Sequence, residues 1–567
     1  MLRPGLLALT VLAVSAAGLA MPATADEQAP EPRSSDDPAL VVADDGTTFA
    51  VDEWPAPPDG PVLTARTATV RGAAQASYDA ADAFTLHSRR GASRTIYLDF
   101  DGGSLLSTNS WLDNGLSQLV FPGWSLDGSS AFSATERAVV IEVWERMAED
   151  FAPFDIDVTT QEPASGGLFR SSSGDTTFGA RVAFTSGSAV QNALCGGGCG
   201  GIAWIGTFDS ITSGETRSPA WVFPSSLGNR AKNLAEAGSH EAGHTLGLNH
   251  DGTGSSGYYG GTSLWGPLMG APYSAGVTQW SRGDYPGANN REDDLAKMQT
   301  NGVALRPDEA GASAGSATPL ADLPGGRGVI SSRSDADWLA VTACSGSVAV
   351  QAQPTAVGAN LDVGLQVRDA SGTVLASAAP DTSRTSSGVT GQAASLSVPL
   401  SGGPYYVVVS GTGSGRTWSG GGYDDYGSLG SYRVTVAGCS GSGTPSVDEP
   451  PVVVPPVVGS PPPLSRPGRP ARPAAASGPR GGRRTVLAAW RAPRATGGTP
   501  VTRYLVSAYR VGTSARTLPR TYARQYGASV HRVSLSLPRG TWVVRVRARN
   551  KVGWGAYSSA SVRVVSR

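Results

Sequence analysis

Histidine is scarce in this chain, five in 567 residues, and cysteine scarcer still at four. So few cysteines leave no thiolate set for a metal. Cys195 and Cys199 are close neighbours, Cys344 and Cys439 bracket one later segment, and pairing them that way fits an oxidising compartment. Long apolar runs are missing after the first 25 residues, which excludes a membrane-spanning helix, and the C-terminus shows neither a hydrophobic tail nor a lipidation cysteine. The one such run, 6–20, follows a basic start at Arg3 and precedes Ala23-Thr24-Ala25. That is the pattern of a secretory signal over 1–25, and it predicts an extracellular mature protein. Acidic residues vanish from 480 onward, where 17 Arg and one Lys give +18, whereas residues 1–479 hold 27 basic and 46 acidic residues, −19. The net charge of −1 therefore hides two oppositely charged parts, and 567 residues are too many for one core.

Against that scarcity, three of the five histidines fall in His240-Glu241-Ala242-Gly243-His244-Thr245-Leu246-Gly247-Leu248-Asn249-His250. Positions four apart share a helix face, so His240 and His244 can converge on one ion with Glu241 beside them. A continuous helix would carry His250 roughly 15 Å beyond His240, so the chain must turn back. Gly247 permits that turn, because it accepts the left-handed conformation that ends many helices. Composition alone yields three His and the Gly at these offsets roughly five times in 100,000 such chains, so chance is a poor explanation. The reading is a zinc site held by His240, His244 and His250 with one position left for water, and Glu241 as a base that later returns the proton to a leaving amine. The bland alternative, a pair of exposed helix histidines, explains neither His250 nor Glu241.

The motif resembles that of the metzincin zinc peptidases, whose active-site helix ends at the glycine before the last ligand. The resemblance implies a methionine turn below the metal, and Pro267-Leu268-Met269-Gly270-Ala271-Pro272-Tyr273 places Met269 there. Astacin-like and serralysin-like members carry a metal-reaching tyrosine two residues after that methionine, where this chain has Ala271; Asp251, directly after the third histidine, looks more like the reprolysin side.

The expected catalytic domain, 92–305, is α/β (α+β) with a mixed sheet and the active-site helix. Strands are predicted at 94–101, 154–160, 181–184, 201–206 and 220–223. A helix starts at the capping box Ser133-Ala134-Thr135-Glu136 and carries Val140, Trp144, Met147 and Phe151 along one face. By the resemblance, Gly201, Ile202, Ala203 and Trp204 form the sheet edge above the cleft, where a peptide substrate would add as a strand. A Cys195–Cys199 bridge would stiffen that rim. Residues 26–91 are acidic, rich in Pro and Ala and weakly periodic, which suits a propeptide. It holds no cysteine, so latency would need a carboxylate, His87 or steric cover; Arg89-Arg90 offers a cleavage point.

Over 306–442, short apolar runs between Gly, Ser and Asp predict an antiparallel sandwich. Ser334-Asp335-Ala336-Asp337-Trp338 and Gly422-Tyr423-Asp424-Asp425-Tyr426 resemble the bacterial pre-peptidase C-terminal domain. Some of these domains bind calcium, which makes Asp335, Asp337, Asp424 and Asp425 structural Ca2+ candidates, with solvated turn carboxylates as the alternative. Cys344 and Cys439 would staple the sandwich's two ends. Residues 443–480 read as a Pro-rich spacer. Residues 481–567, with Trp490, Tyr504 and the run 542–555, resemble a fibronectin type III domain, with Trp542 where that family usually has tyrosine. Val544, Val546 and Ala548 should point inward and Arg545, Arg547 and Arg549 outward. Such a surface either binds a polyanionic cell-surface ligand or only keeps the domain soluble; no recognition motif for specific nucleic acid accompanies it.

The expected fold class is thus multidomain, with the catalytic domain followed by two all-β sandwiches. The expected function is that of a secreted zinc endopeptidase acting on proteins or peptides. The alternative is an adhesin with a metal-stabilised but idle domain, against which Glu241 speaks, since a scaffold needs the ligands and not the base.

Overall fold

The strands expected between residues 94 and 223 assemble into one mixed sheet, joined by two further strands from the segment read as a propeptide. The computed structural model describes residues 39–43, 45–52, 78–385, 388–440, 466–478, 485–493, 496, 499–511, 521–558 and 560–566. The signal segment and most of the Pro-rich spacer lie outside them. The sheet contains β1 (Leu40–Val42), β2 (Thr48–Asp52), β3 (Arg94–Asp99), β4 (Asp157–Thr159), β5 (Phe178–Phe184), β6 (Gly201–Trp204) and β7 (Ala220–Val222). Their order is β1-β2-β6-β7-β5-β3-β4. β4, β3, β5 and β7 are parallel, whereas β6, β2 and β1 are each antiparallel to their neighbours.

Two helices line the sheet. Ser133 starts α1 (Ala134–Asp150): its hydroxyl accepts from Glu136 N–H, and the Glu136 carboxylate accepts from Ser133 N–H at 2.8 Å, so both halves of the capping box form. Val140, Trp144 and Met147 are buried along α1, and Phe151 follows them into the core. α2 (Ala231–Thr245) is rich in Ala and Gly, which lets it sit close to its neighbours; Met147 lies over Gly238.

The sheet edge lies elsewhere than expected. β6 is not the sheet edge, because β2 runs antiparallel along it with Phe49 opposite Trp204 and Asp52 opposite Gly201, and Gly201, Ile202, Ala203 and Trp204 are all buried. An unpaired edge strand accepts whatever extended segment reaches it. Thr48 to Asp52 suits that role, with Phe49 packed edge-on against Trp204 and Trp111 at 4.8 and 5.5 Å between ring centroids. The end of the 26–91 segment is also built into the body. Ala83 and Leu86 are in the core, Arg89 pairs with Asp155 at 2.6 Å, and His87 is held between Asp157 (2.6 Å) and Gln161 (2.8 Å).

The next sandwich takes in Arg327–Ile330, Ala336–Pro354, Val363–Arg368, Val374–Ala378, Ala394–Gly402, Tyr405–Gly411 and Gly430–Ser440. The Cys344–Cys439 disulfide joins directly paired positions on two adjacent strands, and so does not link the two ends. This sandwich is fused to the sheet domain through the end of α1. Asp150 accepts from Ser239 Oγ at 2.6 Å and from Asn360 Nδ2 at 2.8 Å, and its carbonyl accepts from Trp280 Nε1 at 2.7 Å. Asn360 in turn accepts from Gln279 Nε2 at 2.6 Å, and Ser431 N–H donates to Glu149 at 2.9 Å.

Burial pushes the Glu149 carboxyl up from 4.5 to about 7, against the Ser431 hydrogen bond that lowers it. The native state therefore keeps a proton that the unfolded chain releases near pH 4.5, and stability falls as pH rises between about 4.5 and 7. On the order of 3 kcal/mol rides on this group. Glu149→Gln is expected to flatten the slope; urea midpoints at acid and neutral pH check it, and an unchanged slope would clear Glu149 of the effect.

The C-terminal sandwich packs Ala474–Ser477, Thr485–Ala489 and Arg532–Ser536 against Thr521–Gly527, Arg503–Val511, Gly540–Arg549 and Val564–Ser566. Ala474–Ser477 pairs with Thr485–Ala489, so this sandwich begins before residue 480, in a stretch whose Ala and Pro content reads as spacer. Val544, Val546 and Ala548 are fully buried beside Trp490, Tyr504 and Trp542. Trp542 supplies a corner hydrogen bond of its own, its indole N–H donating to the Pro538 carbonyl at 3.1 Å. Arg545, Arg547 and Arg549 lie over Tyr509, Tyr557 and Trp554 respectively. No helix among the described residues is long and apolar enough to cross a membrane.

Candidate metal centre

α2 ends where the histidine motif demands. Gly247 takes a φ of 92°, Gly247 N–H bonds the His244 carbonyl at 2.9 Å and Leu248 N–H bonds the Gly243 carbonyl at 3.0 Å, a Schellman closure. The chain then doubles back and is pinned. Glu292 accepts from the backbone and side-chain amides of Asn249 at 2.9 and 3.0 Å, and Asp251 N–H donates to the Met269 carbonyl at 2.8 Å.

This return brings His250 to the other two histidines. Its Nε2 is 3.0 Å from His244 Nε2, and the His240 ring lies 4.7 and 5.3 Å from the rings of His244 and His250. Backbone carbonyls hold two of the rings. His240 Nδ1–H donates to Leu268 and His244 Nδ1–H to Leu248, both at 2.8 Å, which turns each bare Nε2 toward the cluster. Burial holds His240 well below its usual pKa, in the neutral form that ligates metals.

A fourth group, absent from the sequence reading, completes the cluster. Asp52 at the end of β2 places Oδ1 2.8 Å from His250 Nε2 and Oδ2 3.6 and 3.7 Å from the Nε2 atoms of His244 and His240. One ligand atom from each of Asp52, His240, His244 and His250 lies within 4.8 Å of the others, and all four residues are buried. Burial alone would raise the Asp52 pKa, but the facing imidazoles outweigh it and hold it well below the carboxylate range. Tyr258 was also missed: its hydroxyl donates to Asp52 Oδ1 at 2.6 Å and its ring lies 4.5 Å from that of His250. Local spacing contains no signal for either residue beyond the alternation of Thr48 to Asp52.

Glu241 stands beside this group, its carboxyl pushed well above the usual range first by burial and then by the Asp52 charge. Neither of its oxygens finds a hydrogen-bond donor among the described residues. A Cβ at Gly201 would overlap Glu241 Oε1, so only glycine lets β6 pass directly over it. Met269 is buried beneath α2, and a Cβ at Gly243 would meet its Sδ at 2.7 Å. Three imidazoles and a carboxylate, buried and converging, form a donor set that fits a divalent metal ion.

The other candidates separate. Cys195 and Cys199 are bridged just before β6. Asp335 and Asp337 come together with Asp308 in a second acidic group, in which Asp337 accepts from the Tyr432 hydroxyl at 2.5 Å. Asp424 and Asp425 are not part of it; they face Arg282 at 3.8 Å and Arg333 at 2.5 Å, because each has a guanidinium within reach.

No family model matches the chain, and no curated protein matches it. Solved structures similar to part of it include the FN5 domain of Drosophila Lar, at 18% identity over 18% of this chain and 96% of that one with a TM-score of 0.14. The sixth fibronectin type III domain of human fibronectin type III domain containing protein 3 is similar at 24% identity over 19% and 90% with a TM-score of 0.14. Titin kinase with its flanking domains is similar at 22% identity, with a TM-score of 0.15, and this chain spans only 17% of its length. Likenesses this small carry no argument about the present chain.

Proposed function

We propose that this protein is a secreted zinc endopeptidase of metzincin type that hydrolyses peptide bonds of extracellular proteins. The observation that carries the reading is the meeting of three imidazole Nε2 atoms beside a carboxylate, Glu241, that takes no part in holding them. His240, His244 and His250 would hold the zinc, which when bound supplies Lewis acidity toward a water and a substrate carbonyl. The Leu268 and Leu248 carbonyls keep two of the rings in the ligating tautomer. Glu241 accepts a proton from the attacking water and passes it to the departing amine nitrogen, so one carboxyl group serves as base and then acid. Gly201 keeps the strand above it clear of that oxygen. A structural calcium ion belongs, in this reading, at Asp308, Asp335 and Asp337. The arginine-rich C-terminal sandwich would attach the enzyme to a polyanionic surface.

Metal removal tests the reading. The chain, assayed before and after limited proteolysis of its N-terminal segment, is expected to carry one zinc ion, to lose casein and gelatin hydrolysis on chelation and to regain it when zinc is restored. A metallated, processed chain that leaves casein, gelatin and a peptide library uncut would overturn it in favour of an idle adhesin.

A further inference from the structure

We infer that the first sandwich is a part of the metal centre: its Asn360, Tyr426 and Gly427 are positioning residues that clamp the segments behind His240 and His250. The effect on metal binding follows from geometry alone, whereas any effect on hydrolysis rests on the peptidase reading.

The arm to His240 runs through Gln279. His240 Nδ1–H donates to the Leu268 carbonyl at 2.8 Å, and Leu268 N–H donates to the Gln279 carbonyl at 2.8 Å, extending the parallel pair of Trp265–Pro267 with Val277–Gln279. Gln279 is buried, and both ends of its side-chain amide are used. Oε1 accepts from Trp265 Nε1 at 2.7 Å, and Nε2 donates across the domain boundary to the Asn360 carbonyl at 2.6 Å. Asn360 also reaches the metal helix, because its Nδ2 donates to Asp150, which accepts from Ser239, the residue before His240. Gly427 completes this arm. A Cβ there would come to 2.7 Å from both Gln279 Cβ and the Trp280 carbonyl oxygen, so the sandwich backbone rests directly on these residues. Trp280 in turn faces α2 between two of the ligands, where a Cβ at Gly243 would meet its ring at 3.4 Å.

The arm to His250 starts at Tyr426. Its hydroxyl donates to Asp293 Oδ1 at 2.7 Å and accepts from Leu295 N–H at 3.1 Å, at the start of the helix Asp294–Thr300. The residues just before that helix hold the chain's return to the site. Glu292 binds the backbone and side-chain amides of Asn249, and Asn290 Nδ2 donates to the His250 carbonyl at 3.1 Å while its Oδ1 accepts from Glu292 N–H at 2.9 Å.

A ligand carried on a loop must be ordered when the metal binds, and the cost of ordering it is subtracted from the affinity. Partners behind the ligands remove that cost, and losing one weakens metal binding about 10- to 100-fold. Here those partners are themselves held from another domain. By linkage the relation is reciprocal: an occupied site tightens the joint between the domains by the factor with which the joint tightens the site.

Gln279→Met and Tyr426→Phe each cut one arm while keeping a side chain of similar size. Tyr405→Phe, which removes a hydroxyl bonded to Ser401 within the sandwich, is the control. Should Gln279→Met fail to fold, Asn360→Ala, which cuts the link to Asp150, takes its place. The visible spectrum of bound cobalt(II) and the zinc dissociation constant from chelator competition are read in the full chain, well below the unfolding temperature of each metal-free variant. Both arm variants are expected to alter the spectrum and to raise the dissociation constant about tenfold, and the control to match wild type. Wild-type values in either arm variant, or an equal rise in Tyr405→Phe, overturn the inference, because the joint would then supply stability alone. An altered site in both, with casein left uncut even by the processed wild type, upholds the clamp and removes the peptidase reading.

Discussion

On the proposed peptidase reading, Glu241→Gln in the proteolytically processed chain is expected to keep the bound metal and to lose peptide hydrolysis by about 10²- to 10⁴-fold, the range that a positioned general base supplies. The substitution preserves the shape of the side chain under β6, where a Cβ at Gly201 would already collide with Glu241 Oε1. It touches none of the groups that would hold a metal, since His240 and His244 are oriented by the Leu268 and Leu248 carbonyls. What it removes is the ability to take a proton. Metal analysis alongside kcat and kcat/KM on one peptide separates the readings: retained zinc with kcat within about twofold of wild type would exclude Glu241 as the base. Hydrolysis absent from both forms would point to a binding protein.

Asp150→Ala is expected to destabilise the protein by about 2–6 kcal/mol, because Ser239 Oγ and Asn360 Nδ2 would each lose a buried acceptor at about 1–3 kcal/mol apiece. The site lies at the crossing of α1, the residue before His240 and the first sandwich, so the loss should also weaken metal retention. Burial first, and the Glu236 charge second, push the Asp150 carboxyl well above the usual range. A protonated Asp150 is close to Asn in shape and charge. Asp150→Asn should therefore cost far less than Asp150→Ala, as read by thermal unfolding and zinc content; equal losses in the two variants would show that the carboxylate is ionised in the folded protein.

These two positions differ in how visible they are from sequence. Glu241 follows His240 directly and reads at once from helix periodicity. Asp150 is one carboxylate among many at the end of a helix, and nothing marks it as the joint between two domains until Ser239 and Asn360 arrive from elsewhere in the chain. The edge strand shows the same limit: Gly201 to Trp204 reads as a strand, but whether its outer side is bare depends on whether Thr48 to Asp52 reaches it. Along the chain alone, that segment is only an acidic, weakly periodic stretch.

What the amino-acid sequence by itself determined is everything governed by neighbours along the chain. This covers the α1 start at Ser133 and Glu136, the α2 face that aligns His240 with His244, the turn at Gly247 that returns His250, and the inward valines of the last sandwich. Capping, helical period and the left-handed tolerance of glycine act over a handful of residues. Only the tertiary structure decided that Asp52 and Tyr258 join the histidines, that β2 covers β6, that the Leu268 carbonyl orients His240, and that Asp150 locks the first sandwich to the metal helix. Those contacts join segments far apart in the chain, and which segment wins a sheet edge or a buried hydrogen bond is settled by competition in the folded state.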